Sequence, residues 1–191
     1  PSADYHSRWP AAMPSFEGIL RDWFEACEDL SVRLITAMAQ SLEIAPDILL
    51  TSFTPTHTSF ARINYYPLCE RPQTDNSDGH LGIHPHTDSG ALTVLLQDEV
   101  AARQVLRQGH WHTIEPAADG LIINIGDMLQ EASGGYFPST THRVVNPQGS
   151  DLKKARVSLP LFLHPNPEVV LSERYTAKSY LKERLEELGV A

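Results

Sequence analysis

His84-Pro-His-Thr-Asp-Ser-Gly-Ala-Leu-Thr-Val-Leu-Leu-Gln97 joins a polar segment directly to an apolar run that predicts a β-strand. His86 and Asp88 are two residues apart within it, so on an extended chain their side chains leave the same face. An imidazole nitrogen and a carboxylate oxygen at the end of a strand are two of the ligands that a metal site needs. A His-x-Asp pair also arises by chance on protein surfaces, so the prediction of a metal site depends on the rest of the chain.

His142 is the candidate for a third ligand. It stands in Ser139-Thr-Thr-His-Arg-Val-Val145, at the edge of another apolar run. Two histidines and one carboxylate on one face of a metal ion, with the other positions open, are typical of non-haem Fe(II) oxygenases. His84 shares a strand face with His86, but Pro85 makes the path of the chain irregular there, and the prediction leaves His84 out of the ligand set.

Length and composition limit the function classes. The chain has 191 residues, 41% of them hydrophobic and 20% charged, as expected of one globular domain. The formal net charge of -9 argues against nucleic-acid binding, and no apolar run is long enough to span a bilayer. The two cysteines, Cys27 and Cys69, suit a reducing compartment, so we predict a cytoplasmic location. The sequence does not predict an oligomeric state.

Helical patterns occur at both ends of the chain. After Ser15, apolar residues recur every three or four positions and predict one long amphipathic helix; they are Phe16, Ile19, Leu20, Trp23, Cys27, Leu30, Leu34 and Met38. Pro46 fits the first turn of a short second helix, and Thr176 fits the N-cap of a last one. We therefore predict an N-terminal helical support region (1–58), preceded by further sequence, a β core (59–165) and a C-terminal helical segment (166–191).

The central part of the chain has the pattern of an all-β fold. Short apolar runs separated by turn residues predict a sandwich or barrel; they lie near 91–97, 103–106, 110–114, 121–125, 140–145 and 155–163. An alternating segment from Ala61 to Tyr66 precedes them, and it places Asn64 and Tyr66 on the same face.

The run at 155–163 contains an arginine that needs an anion. Arg156, Ser158, Pro160 and Phe162 alternate there with four aliphatic residues, which we expect to pack outward against helices. A buried arginine is costly unless its charge is paired, and the run contains no acidic residue. A ligand carboxylate bound by Arg156 and Ser158 would supply the partner. The alternative is an arginine at an exposed strand end, solvated or paired across the sheet.

Taken together, these motifs resemble a known family. The ordered set Asn64-Tyr-Tyr-Pro67, His86-Thr-Asp88, His142-Arg-Val144 and Arg156-Val-Ser158 is similar to that of the 2-oxoglutarate/Fe(II)-dependent dioxygenases of the isopenicillin N synthase-like group. The spacing agrees as well, with 56 positions between the two histidines and 14 from the second histidine to the arginine. The resemblance extends over roughly residues 60 to 165.

The resemblance implies a double-stranded β-helix, a distorted jelly roll that is mainly β with flanking helices. It also implies the site residues: His86, Asp88 and His142 as catalytic Fe(II) ligands, Arg156 and Ser158 with Tyr66 and Asn64 around 2-oxoglutarate, and Phe162 at the substrate. The reaction implied is oxidation of a small-molecule metabolite by O2, through hydroxylation, desaturation or cyclisation, with release of succinate and CO2.

The chain departs from the family pattern at two places. Ala102-Arg103 stands where a Gly-Leu pair is usual, and Ala132-Ser-Gly-Gly135 replaces the usual Ser-Asn-Gly turn. Neither touches a proposed ligand, so we expect both to alter local turn shape and not the chemistry.

Three other functions fit parts of the pattern. An oxidase of the same fold would use iron and O2 without 2-oxoglutarate, and Arg156 and Ser158 would then bind a carboxylate of the substrate. A non-catalytic binding protein could keep the fold, although an intact triad argues against it. A hydrolytic zinc enzyme would use the same three ligands, but the Arg-x-Ser pair would then have no role.

Overall fold

A computed structural model describes residues 9–54, 57–68, 81–146, 151, 153–187 and 189 of the chain. These residues form antiparallel sheets with helices beside them, which agrees with the predicted class. Cys69 lies outside them. No helix in the described ranges combines the length and the apolar character needed to cross a membrane.

Four helices occur in the described residues: α1 (Phe16–Ser41), α2 (Pro46–Leu50), α3 (Asp127–Ala132) and α4 (Ala177–Glu187). A turn of 3-10 helix at Thr51–Phe53 follows α2. The predicted cap of the last helix is confirmed, because the Ser179 amide donates to Thr176 Oγ1 at 3.2 Å.

The described residues also form nine strands: β1 (Phe60–Ala61), β2 (Asn64–Tyr66), β3 (Leu81–His86), β4 (Leu92–Gln97), β5 (Arg103–Arg107), β6 (His110–Thr113), β7 (Ile122–Ile125), β8 (His142–Val145) and β9 (Arg156–Leu163). They make two antiparallel sheets. One has the order β1-β9-β4-β7, with β2 also paired to β9, and the other has the order β3-β8-β5-β6. Sequence neighbours β3 and β4 lie in different sheets, as expected in a jelly roll.

Helix α1 covers the outer face of the five-stranded sheet. Cys27 and Ile35 of the helix share one buried cluster with Val94 of β4 and with Leu161 and Leu163 of β9. Because side chains alternate along a strand, covering this face leaves the opposite face of β4 and β9 for the interior between the sheets.

Two expectations about apolar faces were wrong in part. Ile19 in α1 is 63% exposed, so the apolar stripe does not face the core over its whole length. Val157 in β9 is 43% exposed, although Leu161 on the same face is fully buried. The reason is position along the sheet: Val157 pairs with Tyr65 of β2, which is also exposed, at an end that the buried cluster does not include.

The outer face of the four-stranded sheet is covered by its own side chains. Gln104 Oε1 accepts a hydrogen bond of 2.9 Å from Arg143 Nε. The Arg143 guanidinium in turn lies 4.1 Å from the ring centroid of Trp111, which is a cation–π contact. This sheet therefore has a partly solvated outer surface where the other sheet has a helix.

Candidate active site

A cavity lies between the two sheets, and it contains the predicted site residues. Its lining from the five-stranded sheet includes Asn64, Tyr66, Thr93, Leu95, Asn124, Arg156, Ser158, Pro160 and Phe162. Its lining from the four-stranded sheet includes Ile83, His86, Arg103, His142 and Val144. Asp88 also lines the cavity, from the segment that connects β3 to β4.

The three predicted metal ligands come together at one end of this cavity. His86 is the last residue of β3 and His142 the first of β8, and the two are directly opposite in the antiparallel register. Their ring centroids are 4.3 Å apart. One potential ligand atom from each of His86, Asp88 and His142 lies within 4.8 Å of the others. This spacing allows one ion to contact all three.

Hydrogen bonds orient both imidazole rings. His86 Nδ1 lies 2.7 Å from the His84 carbonyl oxygen, and His142 Nδ1 lies 3.0 Å from the Thr140 carbonyl oxygen. Since a carbonyl only accepts, each Nδ1 carries the proton and each Nε2 presents a lone pair. His84 itself is exposed and contributes this carbonyl, and the cluster of possible ligand atoms consists of His86, Asp88 and His142.

The two oxygens of Asp88 have separate partners. Asn124 Nδ2 donates to Asp88 Oδ2 at 2.8 Å. Asp88 Oδ1 faces the histidine Nε2 atoms, at 3.9 Å from His86 and 3.6 Å from His142. Such an outer hydrogen bond fixes the orientation of a ligating carboxylate. Sequence reasoning gave Asn124 no role, although a single asparagine in the apolar run Ile122–Ile125 was a signal for one.

The segment that carries Asp88 is attached to the start of α3. The backbone amides of Gly126, Asp127 and Met128 donate to the carbonyls of Ala91, Asp88 and Gly90 at 2.9, 2.7 and 3.0 Å. These are amides that a helix start cannot pair internally. A Cβ at Gly126 would meet the Gly90 carbonyl oxygen at 2.1 Å, so only glycine permits this approach.

Burial keeps His142 neutral. Burial, and after it the Arg103 guanidinium, lower the pKa of His142 to about 4, although the Asp88 carboxylate acts in the opposite direction. A neutral imidazole is the form that binds a metal ion.

At the other end of the cavity lies the predicted anion site. Arg156 is 3% exposed, and its Nε and Nη1 have no hydrogen-bond partner among the described residues. Its guanidinium carbon lies 4.6 Å from the ring centroid of Tyr66. Ser158 is also buried, and its hydroxyl accepts a weak 3.4 Å hydrogen bond from Asn64 Nδ2. The exposed-end alternative for Arg156 is therefore excluded, and the unpaired nitrogens leave room for a ligand carboxylate.

Phe162 lines the same cavity farther along β9. Its ring lies 5.0 Å from that of Phe60, and its cross-strand neighbour in β4 is Thr93. The cavity therefore has aromatic and aliphatic surface beside the polar groups, which is common in small-molecule sites.

The expectation that the Ala102-Arg103 departure affects only local turn shape was wrong for Arg103. Arg103 begins β5, in line with the strand predicted near 103–106, but it is only 5% exposed and lines the cavity together with the triad and Arg156. Burial lowers its pKa, Asp88 opposes that change, and the second guanidinium at Arg156 adds to it. The apolar residues Val105 and Leu106 lie on opposite faces of β5, so the sequence pattern did not show which face is buried.

Comparison with known proteins agrees with this geometry. The sequence-family model of the 2OG-Fe(II) oxygenase superfamily matches residues 57–165 of this chain. Protein DMR6-LIKE OXYGENASE 2 of Arabidopsis thaliana is 33% identical over 172 residues, which are 90% of this chain and 47% of the relative. Flavanone 3-dioxygenase 2 of Oryza sativa subsp. japonica is 37% identical over 164 residues, which are 85% of this chain and 45% of the relative.

A solved structure shows the same fold. A full-length Neurospora crassa protein, crystallised in complex with alpha-KG (2-oxoglutarate), superposes with a TM-score of 0.82 at 26% identity, covering 97% of this chain and 63% of that one. The predicted double-stranded β-helix is thereby confirmed. The chain spans about half the length of the curated relatives it matches. It belongs to the 2OG-Fe(II) oxygenase superfamily, and the predicted resemblance is confirmed at that level.

Proposed function

We propose that this chain carries the active site of an Fe(II)- and 2-oxoglutarate-dependent dioxygenase that oxidises a small molecule. The observation that supports this most directly is that one cavity contains a His-Asp-His triad and the buried Arg156, whose Nε and Nη1 have no hydrogen-bond partner in the described part of the chain. A metal site alone would suit many reactions. A guanidinium in the same cavity would bind one carboxylate of a 2-oxo dicarboxylate whose other end binds the metal.

The donor set suits Fe(II). His86 and His142 would each provide Nε2, and Asp88 would provide Oδ1, the oxygen that Asn124 leaves free. Imidazole nitrogens and one carboxylate suit a divalent transition metal and leave positions open for other ligands. When bound, Fe(II) would supply the activation of O2 coupled to oxidation of 2-oxoglutarate to succinate and CO2.

The remaining residues would bind and orient the organic ligands. Arg156 would donate to the distal carboxylate of 2-oxoglutarate, Ser158 would add a hydroxyl donor, and Tyr66 would pack against the guanidinium. Asn64 would orient the Ser158 hydroxyl. The apolar wall that includes Phe162 would exclude water from the substrate side.

The substrate class and location stay predictions. Flavanone 3-dioxygenase 2 is named for a flavanone, which is consistent with a small-molecule substrate here. The oxidation would be a hydroxylation, a desaturation or a cyclisation. A cytoplasmic location and the absence of nucleic-acid or membrane partners rest only on composition.

Anaerobic absorbance titration tests the proposal. The metal-free protein is titrated with Fe(II) and then with 2-oxoglutarate, because chelation of Fe(II) by a 2-oxo acid produces a weak charge-transfer band in the visible region. We expect the band in the unaltered protein and its loss in Arg156→Leu at the same 2-oxoglutarate concentration. Iron binding without the band would favour the oxidase that does not use 2-oxoglutarate. Failure to bind iron would contradict the proposal.

A further inference from the structure

Arg103 is a second buried arginine in the cavity, and the proposed reaction gives it no role. The residue is only 5% exposed, and in the described part of the chain its Nε and Nη2 have no hydrogen-bond partner. Arg156, on the opposite sheet, is buried with two unpaired nitrogens of its own. Burial of a charged group without partners is costly, so two such groups in one cavity need an explanation.

The register of the four-stranded sheet shows where along the cavity Arg103 lies. Arg103 pairs with Val144, and Val144 pairs with Ile83, so these residues form one row across β5, β8 and β3. The two histidines of the triad form the next row, about 7 Å along the strands, because His142 is two residues from Val144. Arg103 is therefore one row away from the proposed metal ligands.

The row of Arg103 faces the surroundings of Arg156. A Cβ on Gly82 would lie 3.1 Å from Val144 Cγ1 and 3.5 Å from Tyr66 Cε1, so these two side chains are neighbours across the gap between the sheets. The Arg156 guanidinium carbon lies 4.6 Å from the ring centroid of Tyr66. Val144, Tyr66 and Arg156 also line one small cavity together. The strand neighbour of Arg103 therefore lies beside the proposed site of the distal carboxylate.

We propose that Arg103 and Arg156 bind the distal carboxylate of 2-oxoglutarate together, one from each wall of the cavity. An ionised carboxylate has two oxygens with about four lone-pair sites, so it can accept hydrogen bonds from two guanidiniums. Its negative charge would also offset the repulsion between the two buried cations. This inference rests on the proposed use of 2-oxoglutarate. It adds that two arginines, and not Arg156 alone, select a 2-oxo acid with a second carboxylate.

Binding calorimetry with two 2-oxo acids tests the proposal. 2-Oxoglutarate has both carboxylates, and 2-oxopentanoate has the same carbon chain but lacks the distal one. The protein is loaded with Mn(II), so that no turnover occurs. We expect Arg103→Leu to weaken 2-oxoglutarate by about tenfold or more, because hydrogen bonds to a charged group are lost. Binding of 2-oxopentanoate should become no weaker, because it has no carboxylate at that end.

A variant without either arginine sharpens the test. Arg156→Leu should keep part of the preference for 2-oxoglutarate over 2-oxopentanoate, because Arg103 still faces the distal carboxylate. The double variant, with leucine at both positions, should bind the two acids about equally. The effects of the two substitutions on 2-oxoglutarate should also be non-additive, because both remove donors to the same group.

A matched control is available on the same strand. Arg107 is the exposed last residue of β5, so Arg107→Leu removes an equal charge outside the cavity and should leave both dissociation constants unchanged. Since Arg103→Leu removes a buried charge that has unpaired nitrogens, we expect it to raise the thermal unfolding midpoint of the ligand-free protein. Weaker binding of 2-oxoglutarate by a more stable protein would not come from a loss of folding.

Other results would overturn the proposal. Equal weakening of both acids in Arg103→Leu would place Arg103 at the end that the two acids share, which is the metal end. Unchanged binding of both acids, or complete loss of the preference in Arg156→Leu alone, would leave Arg156 as the one arginine that binds the distal carboxylate. If the unaltered protein did not bind 2-oxoglutarate, the proposed function would fall together with this inference, whereas the preceding results would leave the proposed function standing.

Discussion

The two walls of the cavity are stabilised in different ways. The five-stranded sheet lies between helix α1 and the cavity, so β9 has fully buried leucines on one face and the anion-binding side chains on the other. The four-stranded sheet bears both histidines, and within the described part of the chain its outer face is covered by contacts among its own side chains, such as Gln104 with Arg143. The hydrophobic core therefore supports the five-stranded wall at Leu161 and Leu163, and Arg156 lies beyond that cluster. The proposed metal ligands instead depend on local hydrogen bonds.

Asp88 joins the two walls and should be the most sensitive position. It lies between β3 and β4, so its carboxylate reaches the histidines of one sheet while Asn124 of the other sheet orients it. We expect Asp88→Asn to weaken Fe(II) binding by more than about 100-fold, because the amide lacks the anionic ligand atom. Anaerobic equilibrium titration measures this. Glu99→Gln, an equal charge change at an exposed position, should bind iron normally; equal iron affinity in both variants would contradict the ligand role of Asp88.

Truncation of a leucine should destabilise the protein more on the five-stranded wall than on the four-stranded wall. Leu161 on the five-stranded sheet is fully buried against the α1 cluster, and Leu106 on the four-stranded sheet is half-buried. We expect Leu161→Ala to lower the free energy of unfolding by about 3 kcal/mol and Leu106→Ala by about 1 kcal/mol. Urea denaturation of the two variants gives both values. Similar losses would show that the walls do not differ in the way described.

A substitution at Asn124 tests whether the five-stranded sheet orients Asp88, the proposed ligand that acts together with the two histidines of the four-stranded sheet. Removal of its amide in Asn124→Ala should weaken Fe(II) binding by about 10-fold or more without removing a ligand atom. Thr93 pairs with Asn124 in the sheet and lines the cavity, but its hydroxyl has no hydrogen bond to Asp88. Thr93→Val is therefore the control and should leave iron affinity unchanged. A normal affinity in Asn124→Ala would assign the orientation of Asp88 to the backbone alone.

The smallest expected effect is a pH dependence of folding stability that comes from His164. His164 follows β9, and its Nε2 lies 2.8 Å from where a Cβ on Gly90 would be. Burial lowers the pKa of His164 from its ordinary value of 6.5. Below that value the unfolded chain binds a proton that the folded chain does not, so stability should fall as the pH drops from 6.5 toward the lowered pKa.

Comparison of variants isolates that contribution. The decrease in urea midpoint between about pH 7 and acid should be smaller in His164→Gln than in the unaltered protein. His110→Gln, at an exposed residue, should show the full decrease. An identical decrease of the urea midpoint with pH in all three proteins would mean that His164 has the same pKa in the folded and unfolded states.

The sequence predicted best what depends on alternation along single strands. Asn64 with Tyr66 and Arg156 with Ser158 share faces because they are two residues apart, and the structure has each pair lining the cavity. The triad was predicted from residue type and order. The positions that were missed depend on pairing between strands: Asn124 reaches Asp88 only through the register of β7 with β4, and Arg103 enters the cavity only because β5 pairs with β8.

The hydrogen bonds at Nδ1 of His86 and His142 have a consequence for metal selection. Both rings already have the tautomer and orientation that an ion requires, so binding involves little rearrangement of the protein. A site that is already formed does not select among metal ions through a conformational change on binding. Affinity among first-row divalent ions should then follow their intrinsic order, in which Fe(II) ranks below Co(II), Ni(II) and Cu(II). We therefore expect occupancy of the proposed centre by iron to depend on the supply of metals in its surroundings as well as on its ligand types and geometry.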